Sequence, residues 1–207
     1  MAKRFNAAAG LLALLLTVAA CGSSQADKPA DQILNEARKA ANEASSVRIT
    51  GDLSKGANKG KVSLLLTNSG DGKEEISSGG QTVSIVKVGD AVYAKGIPNQ
   101  PSPGFQKLSA QDPAASKLVQ AVNKKALLDQ LLNPQQKFTK AGTGKIGDQD
   151  VVKLKPQQGQ SMFYIADDSE DPYPMKIESK APQGGLTITF SEWDAGAKVK
   201  APATAGN

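Results

Sequence analysis

From Val47 to Lys95 the chain runs through five short stretches rich in alternating apolar and polar residues, separated by turns of two to six residues. Val47, Ile49, Gly51 and Leu53 alternate with Arg48, Thr50, Asp52 and Ser54, the period of a strand with one buried face. Lys61–Thr67, Lys73–Ser78, Gln81–Val88 and Ala91–Lys95 follow, with Gly, Asn and Asp at the turns. Parallel pairing needs a crossover of roughly a dozen residues or more. Turns this short leave an antiparallel meander.

A second set of strand-like stretches lies at Lys137–Ala141, Asp150–Lys155, Ser161–Ala166, Pro174–Lys180 and Leu186–Trp193. Between the two sets the period changes. Leu118, Val119 and Val122 within 114–122, and Leu127, Leu128, Leu131 and Leu132 within 125–132, recur at helical spacing until Pro134 stops the run. A first helix begins near Pro29, with Ile33, Leu34, Ala37, Ala40, Ala41 and Ala44 on one narrow stripe; Asp27 or Asp31 can cap it, and Ser45-Ser46 end it. About ten strands with helices at the start and middle predict an α+β fold, one large twisted antiparallel sheet with helices over one face.

The N-terminus carries a different signal. Lys3 and Arg4 precede an apolar run from Ala7 to Ala20, which ends in Val18-Ala19-Ala20-Cys21. The run suits an export signal and is short for a membrane span, which takes about 20 apolar residues. The chain's single cysteine stands where a bacterial lipobox places the residue that receives diacylglycerol. Residues 1–20 are therefore expected to be a lipoprotein signal peptide, 21–30 a flexible tether beginning with acylated Cys21, 31–195 one domain, and 196–207 a frayed tail. The anchor would hold the protein on the outer face of the cell membrane, since two or more acyl chains give stable attachment.

Composition narrows the chemistry. With Cys21 acylated, no disulfide or thiolate metal site can form, and histidine is absent. Without histidine there is no Ser-His-Asp or Cys-His arrangement and no usual zinc ligand. No enzyme is expected, and no cofactor or metal. The 25 lysines and arginines include Lys3 and Arg4, face 20 acidic residues and are scattered, and there are few aromatics. No basic stripe marks a nucleic-acid partner.

Three phrases add a likeness. Ala44-Ser45-Ser46-Val47 leaves the first helix, Val88 to Gly96 (VGDAVYAKG) spans a hairpin, and Asp171 to Glu178 (DPYPMKIE) enters a late strand. With the lipobox and the strand–helix–strand order, the chain resembles the LppX/LprA/LprF/LprG family of actinobacterial lipoproteins, which share the LolA-like fold. The resemblance implies a half-open barrel roofed by helices over an apolar cavity, and lipid carriage rather than catalysis. The implied partners are the membrane, through the anchor, an acylated lipid or glycolipid, and an envelope transport protein. Candidate lining positions are Leu64, Leu66, Val83 and Ile85 in the sheet, and Leu118, Val122, Leu127, Leu128 and Leu131 in the helical insertion.

Two readings of that insertion stand side by side. It is either a lid over a cavity or a seal on a filled core, and in the second case the protein is a non-carrier lipoprotein that docks an envelope protein. Other motifs read as structure. Asp167–Asp171 with Glu178 has the oxygen spacing of a calcium loop, but Pro172 stands where the loop needs glycine, so a solvated acidic turn is expected. Tyr93, Phe163, Tyr164, Phe190 and Trp193 are expected to pack in the core rather than stack on a ligand.

Overall fold

The computed structural model describes residues 24–55, 58–98, 102–109, 113–133, 135–181 and 184–204. The signal segment and Cys21 lie outside the described residues. Helix α1 (Ala30–Glu43) leads into β1 (Ser46–Lys55), β2 (Asn58–Thr67), β3 (Gly72–Ser78), β4 (Gln81–Val88), β5 (Ala91–Lys95) and β6 (Gln106–Leu108). Helices α2 (Pro113–Ala121) and α3 (Lys124–Leu131) precede β7 (Phe138–Ile146), β8 (Gln149–Pro156), β9 (Ser161–Ala166), β10 (Pro174–Ala181) and β11 (Gly184–Ser191). All eleven strands form one antiparallel sheet, in the order β6-β5-β4-β3-β2-β1-β11-β10-β9-β8-β7. It is open, with β6 and β7 at its edges.

The sheet is thus two meanders joined at one seam, β1 against β11, where Ile49 faces Phe190 and Gly51 faces Ile188. The ten strands expected from the alternation are all present. The eleventh, β6, pairs only with β5, through Val92 and Leu108, and its three residues emerge from a Pro- and Gly-rich stretch with no period of their own. β7 runs to Ile146, past a register shift between Lys140 and Thr143 that bends this edge.

One face of the sheet is apolar and carries the helices. Val47, Ile49, Leu64, Leu66, Ile85, Val152, Leu154, Phe163, Ile165 and Phe190 are buried there against Ile33, Leu34, Ala37 and Ala41 of α1, Leu128 of α3, and Val122 and Leu132 just beyond α2 and α3. The alanines let α1 lie close on the sheet. Gly72 does the same for the insertion: a Cβ there would lie 2.8 Å from the Val122 carbonyl oxygen. The opposite face is mainly polar, with ion pairs Arg48–Glu192 at 2.8 Å and Lys176–Glu178 at 2.5 Å. Val86 is buried there and Leu65 half-buried.

Neither Asp27 nor Asp31 caps α1. Pro29 occupies the cap position without a side-chain bond, and Asp31 pairs with Lys137 at 3.3 Å. Residues 24–30, expected to be a flexible tether, dock on the domain instead: Gln25–Asp27 form a 3-10 turn, and Gln25 is fully buried. The tail is not simply frayed either. Ala197 N donates to Ser46 Oγ, and Thr204 forms a parallel bridge with Phe105.

Candidate functional site

The register of the sheet builds the apolar face row by row. Across β1, β2, β3 and β4, one row runs Ile49, Leu64, Glu74, Ile85, and the next runs Gly51, Val62, Ile76, Val83. A further row joins Leu53 to Leu186 of β11 and Gly60 of β2. Ile49, Leu64 and Ile85 lie in the buried core with the helices, whereas Ile76 is 39% exposed and Leu53 44% exposed. The apolar face therefore continues beyond its cover.

At that far end a cleft of about 440 Å³ takes in Leu53, Gly60, Ser179 and Leu186 of the apolar face, but most of its border, including Asp52, Lys61, Glu178 and Thr187, alternates to the polar face. These positions were not among the expected lining. The alternation Val47, Ile49, Gly51, Leu53 already put Leu53 on the buried face; only its exposure is new.

All nine expected lining residues fall on the helix-covered side and join one cluster. Leu64, Leu66, Ile85, Val122 and Leu128 are buried in it, and Val83, Leu118, Leu127 and Leu131 pack half-buried against it. Leu66, Val122 and Leu128 have no exposed surface. None of the nine borders the cleft at the Leu53 end.

Lys124 ties the insertion to α1. Lys124, buried at the start of α3, directs its ammonium at the last carbonyls of α1, donating to Ala41 O at 3.0 Å, Asn42 O at 3.1 Å and Ala44 O. These carbonyls have no partner within the helix, and their dipoles favour a cation. Burial pushes the Lys124 pKa below its ordinary value, and the Asp194 carboxylate opposes that shift. Asn123 caps α3, accepting from Ala126 N at 3.0 Å.

Glu74 falls in the expected strand Lys73–Ser78. It lies between Leu64 and Ile85 on the apolar face, 6% exposed, with its Oε2 fully buried and unpartnered. Desolvation raises its pKa above the ordinary carboxyl value.

The N-terminal segment meets the other end of the sheet. Ser24 Oγ donates to Asp167 Oδ1 at 2.7 Å, and Ala26 N donates to the same oxygen at 3.1 Å. Gln25 Nε2 reaches Glu36 Oε2 and the Asp168 carbonyl, each at 3.0 Å, and Lys28 pairs with Glu36 at 2.6 Å. The Lys28 hydrogen bond, helped by Gln32, holds the Glu36 carboxyl at about 2. Through the pairings, Asp167 follows the strand end shared by Ala166, Ser191 and Ser46, opposite to the end that carries Leu53.

The acidic turn is built from local bonds. Asp168 Oδ1 accepts from the amides of Glu170 and Asp171, while Glu178 pairs with Lys176 and accepts from Tyr164. The three phrases behind the family likeness are junctions. Ser45 N and Tyr173 OH both donate to Asp194, each at 2.5 Å, and Tyr173 stacks on Trp193 at 4.8 Å. Gly96, at φ 76°, passes so close to Thr82 that a Cβ would overlap its carbonyl oxygen. Phe163 and Phe190 are core residues; Tyr164 lies on the polar face against Glu178. Among the described residues no helix is long and apolar enough to cross a membrane.

No family model matches the chain, and no curated protein is close enough in sequence to be matched. Solved structures are similar. LprF from Mycobacterium bovis shares 17% identity at a TM-score of 0.60, covering 84% of this chain and 97% of its own. The Mycobacterium tuberculosis lipoprotein LppX shares 13% at 0.58, covering 83% and 98%. At such identities the likeness is one of architecture: the chain has the LolA-like fold of LprF and LppX, structural neighbours from the LppX/LprG family of lipoproteins.

Proposed function

We propose that the protein is a membrane-anchored lipoprotein that binds acylated lipids or glycolipids and carries or presents them in the cell envelope. The observation that carries this reading is the apolar face that outruns its helices, from buried Ile49 and Leu64 to exposed Ile76 and Leu53. An exposed apolar surface continuous with a core is costly to leave in water and is met by an apolar ligand. The fold shared with LppX and LprF and the lipobox cysteine at position 21 support it further.

Acyl chains enter at the Leu53 end, along Val62, Ile76 and Val83. Deeper passage requires α2 and α3 to part from the sheet, because Leu66, Val122 and Leu128 are fully packed.

Native mass spectrometry of the protein purified from its own host tests the proposal. A co-purifying acylated lipid is the expected result. Lipid-free protein that also takes up no fluorescent acyl probe would leave the alternative, a lipoprotein with a filled core that docks an envelope protein.

A further inference from the structure

The apolar face contains one group that its packing does not explain. Glu74 points to the same side of β3 as Ile76, between Leu64 and Ile85, with Leu66, Val62 and Val83 at the diagonal positions. Neither carboxyl oxygen has a hydrogen bond or an ion pair, and Oε2 is sealed from solvent. Lys87, the remaining diagonal neighbour, opposite Gly72, gives its ammonium to the carbonyls of Gly70 at 2.9 Å and Gly89 at 2.8 Å. A leucine would fill such a site at no polar cost, whereas an unpartnered buried carboxyl is costly. The position is also special. Glu74 is 6% exposed, and Ile76, next on the same face of β3, is 39% exposed.

We propose that the Glu74 carboxyl is the polar recognition point of this face, hydrogen-bonding a hydroxyl group on an otherwise apolar acyl lipid that lies along Val62, Ile76 and Val83. This rests on the lipid-binding reading above and names the chemistry that reading leaves open. In the free protein, desolvation favours the uncharged acid, which offers one donor and a carbonyl acceptor. An alcohol can pair with either form of the exposed oxygen, donating to a carbonyl or accepting from an acid proton. A purely hydrocarbon chain satisfies neither. Selectivity follows from the group left unpaired by the wrong ligand, as in sites built to hold a hydroxyl.

The test is competition between two lipids that differ in one group, methyl stearate and its mid-chain hydroxylated counterpart. They are offered in equal amounts to the full acylated chain in detergent and read as adducts by native mass spectrometry. The wild type should favour the hydroxylated lipid about five- to tenfold, the span of one buried hydrogen bond. Glu74→Gln, which keeps a donor and an acceptor, should retain most of that preference. Glu74→Leu should bind both lipids equally, with a thermal midpoint at or above that of the wild type. Equal binding by the wild type, or a preference that survives Glu74→Leu, overturns the assignment whether or not any variant folds. Binding of neither lipid overturns the lipid-binding reading itself, a result distinct from binding without discrimination.

Discussion

Lys124 Nζ donates to the carbonyl oxygen of Ala41 across 3.0 Å, joining the start of α3 to the end of α1 over 83 positions of sequence. Replacing Lys124 by Met keeps the stem and removes the donor, leaving the carbonyls of Ala41, Asn42 and Ala44 without it. A loss of about 1–3 kcal/mol is expected in denaturant unfolding, because buried carbonyls lose a charged partner. α2 and α3 should also exchange amide hydrogens faster than the sheet does.

Two leucines on the same apolar face should respond in opposite ways to enlargement. Leu128 is fully buried, and Leu128→Trp is expected to cost about 1–3 kcal/mol or more through overpacking. Leu53 stands 44% exposed at the cleft, where Leu53→Trp should be nearly neutral for stability and reduce uptake of a fluorescent acyl probe. Thermal unfolding and probe titration on both variants separate the packed end from the open end. Equal destabilisation by the two would contradict that division.

Gly96→Ala should destabilise the β4–β5 hairpin by roughly 2 kcal/mol or more, since a left-handed backbone and a steric overlap coincide there. Gly89→Ala, at φ 55° but with open space around it, should cost less. Urea midpoints for the pair check this ranking.

The alternation of Val47 to Leu53 was enough to place β1's faces, and the turn chemistry of Gly79-Gly80 and Gly89-Asp90 marked the ends of β4 to the residue. Strand β6 was not legible, because three residues paired on one side have no period to read. The nine candidate lining residues, offered on the resemblance, do share the helix-covered side. Whether space remains among them was not legible, since filling depends on how α1, α2 and α3 settle together. Glu74 was legible in principle: Gly72, Glu74 and Ile76 alternate in register with Leu66, Leu64 and Val62. Its polar neighbours Lys73 and Glu75 masked it. The docking of Ser24 depends on Asp167, 143 positions away, and no local pattern could announce it.

Two carboxyl groups give opposite pH dependences. Glu36 is held at about 2, below its ordinary 4.5, chiefly by Lys28. Its contribution is therefore complete above about pH 4.5 and lost as the pH falls toward 2. Glu74 is shifted upward by burial, so its neutral form favours the folded state at low pH, and that advantage is lost as the pH rises above 4.5. Unfolding free energies measured from pH 2 to 8 should show Lys28→Met flattening the acid limb, and Glu74→Gln removing a decline on the other side of pH 4.5.

Cys21→Ala is expected to abolish acylation and move the protein from the detergent phase to the aqueous phase on Triton partitioning. A variant that is still processed and stays in the detergent phase would refute the anchor. Asp167→Ala should leave the anchor intact and release residues 24–28 from the domain, read as faster amide exchange there with global stability changed by less than about 1 kcal/mol.

The seam between β1 and β11 has a kinetic consequence. Within each meander, neighbouring strands are neighbours in sequence and can zip locally, whereas the seam brings together residues as distant as Ser54 and Gly185, 131 positions apart. Contacts of such separation form late, after the loops they close have been ordered. During synthesis the first meander is complete long before β11 exists. Until then β1 is an edge strand presenting Val47 and Ile49, the kind of edge that pairs with strands of other chains. The strand that lies at the centre of the finished sheet is thus the one most exposed to wrong partners on the way to it.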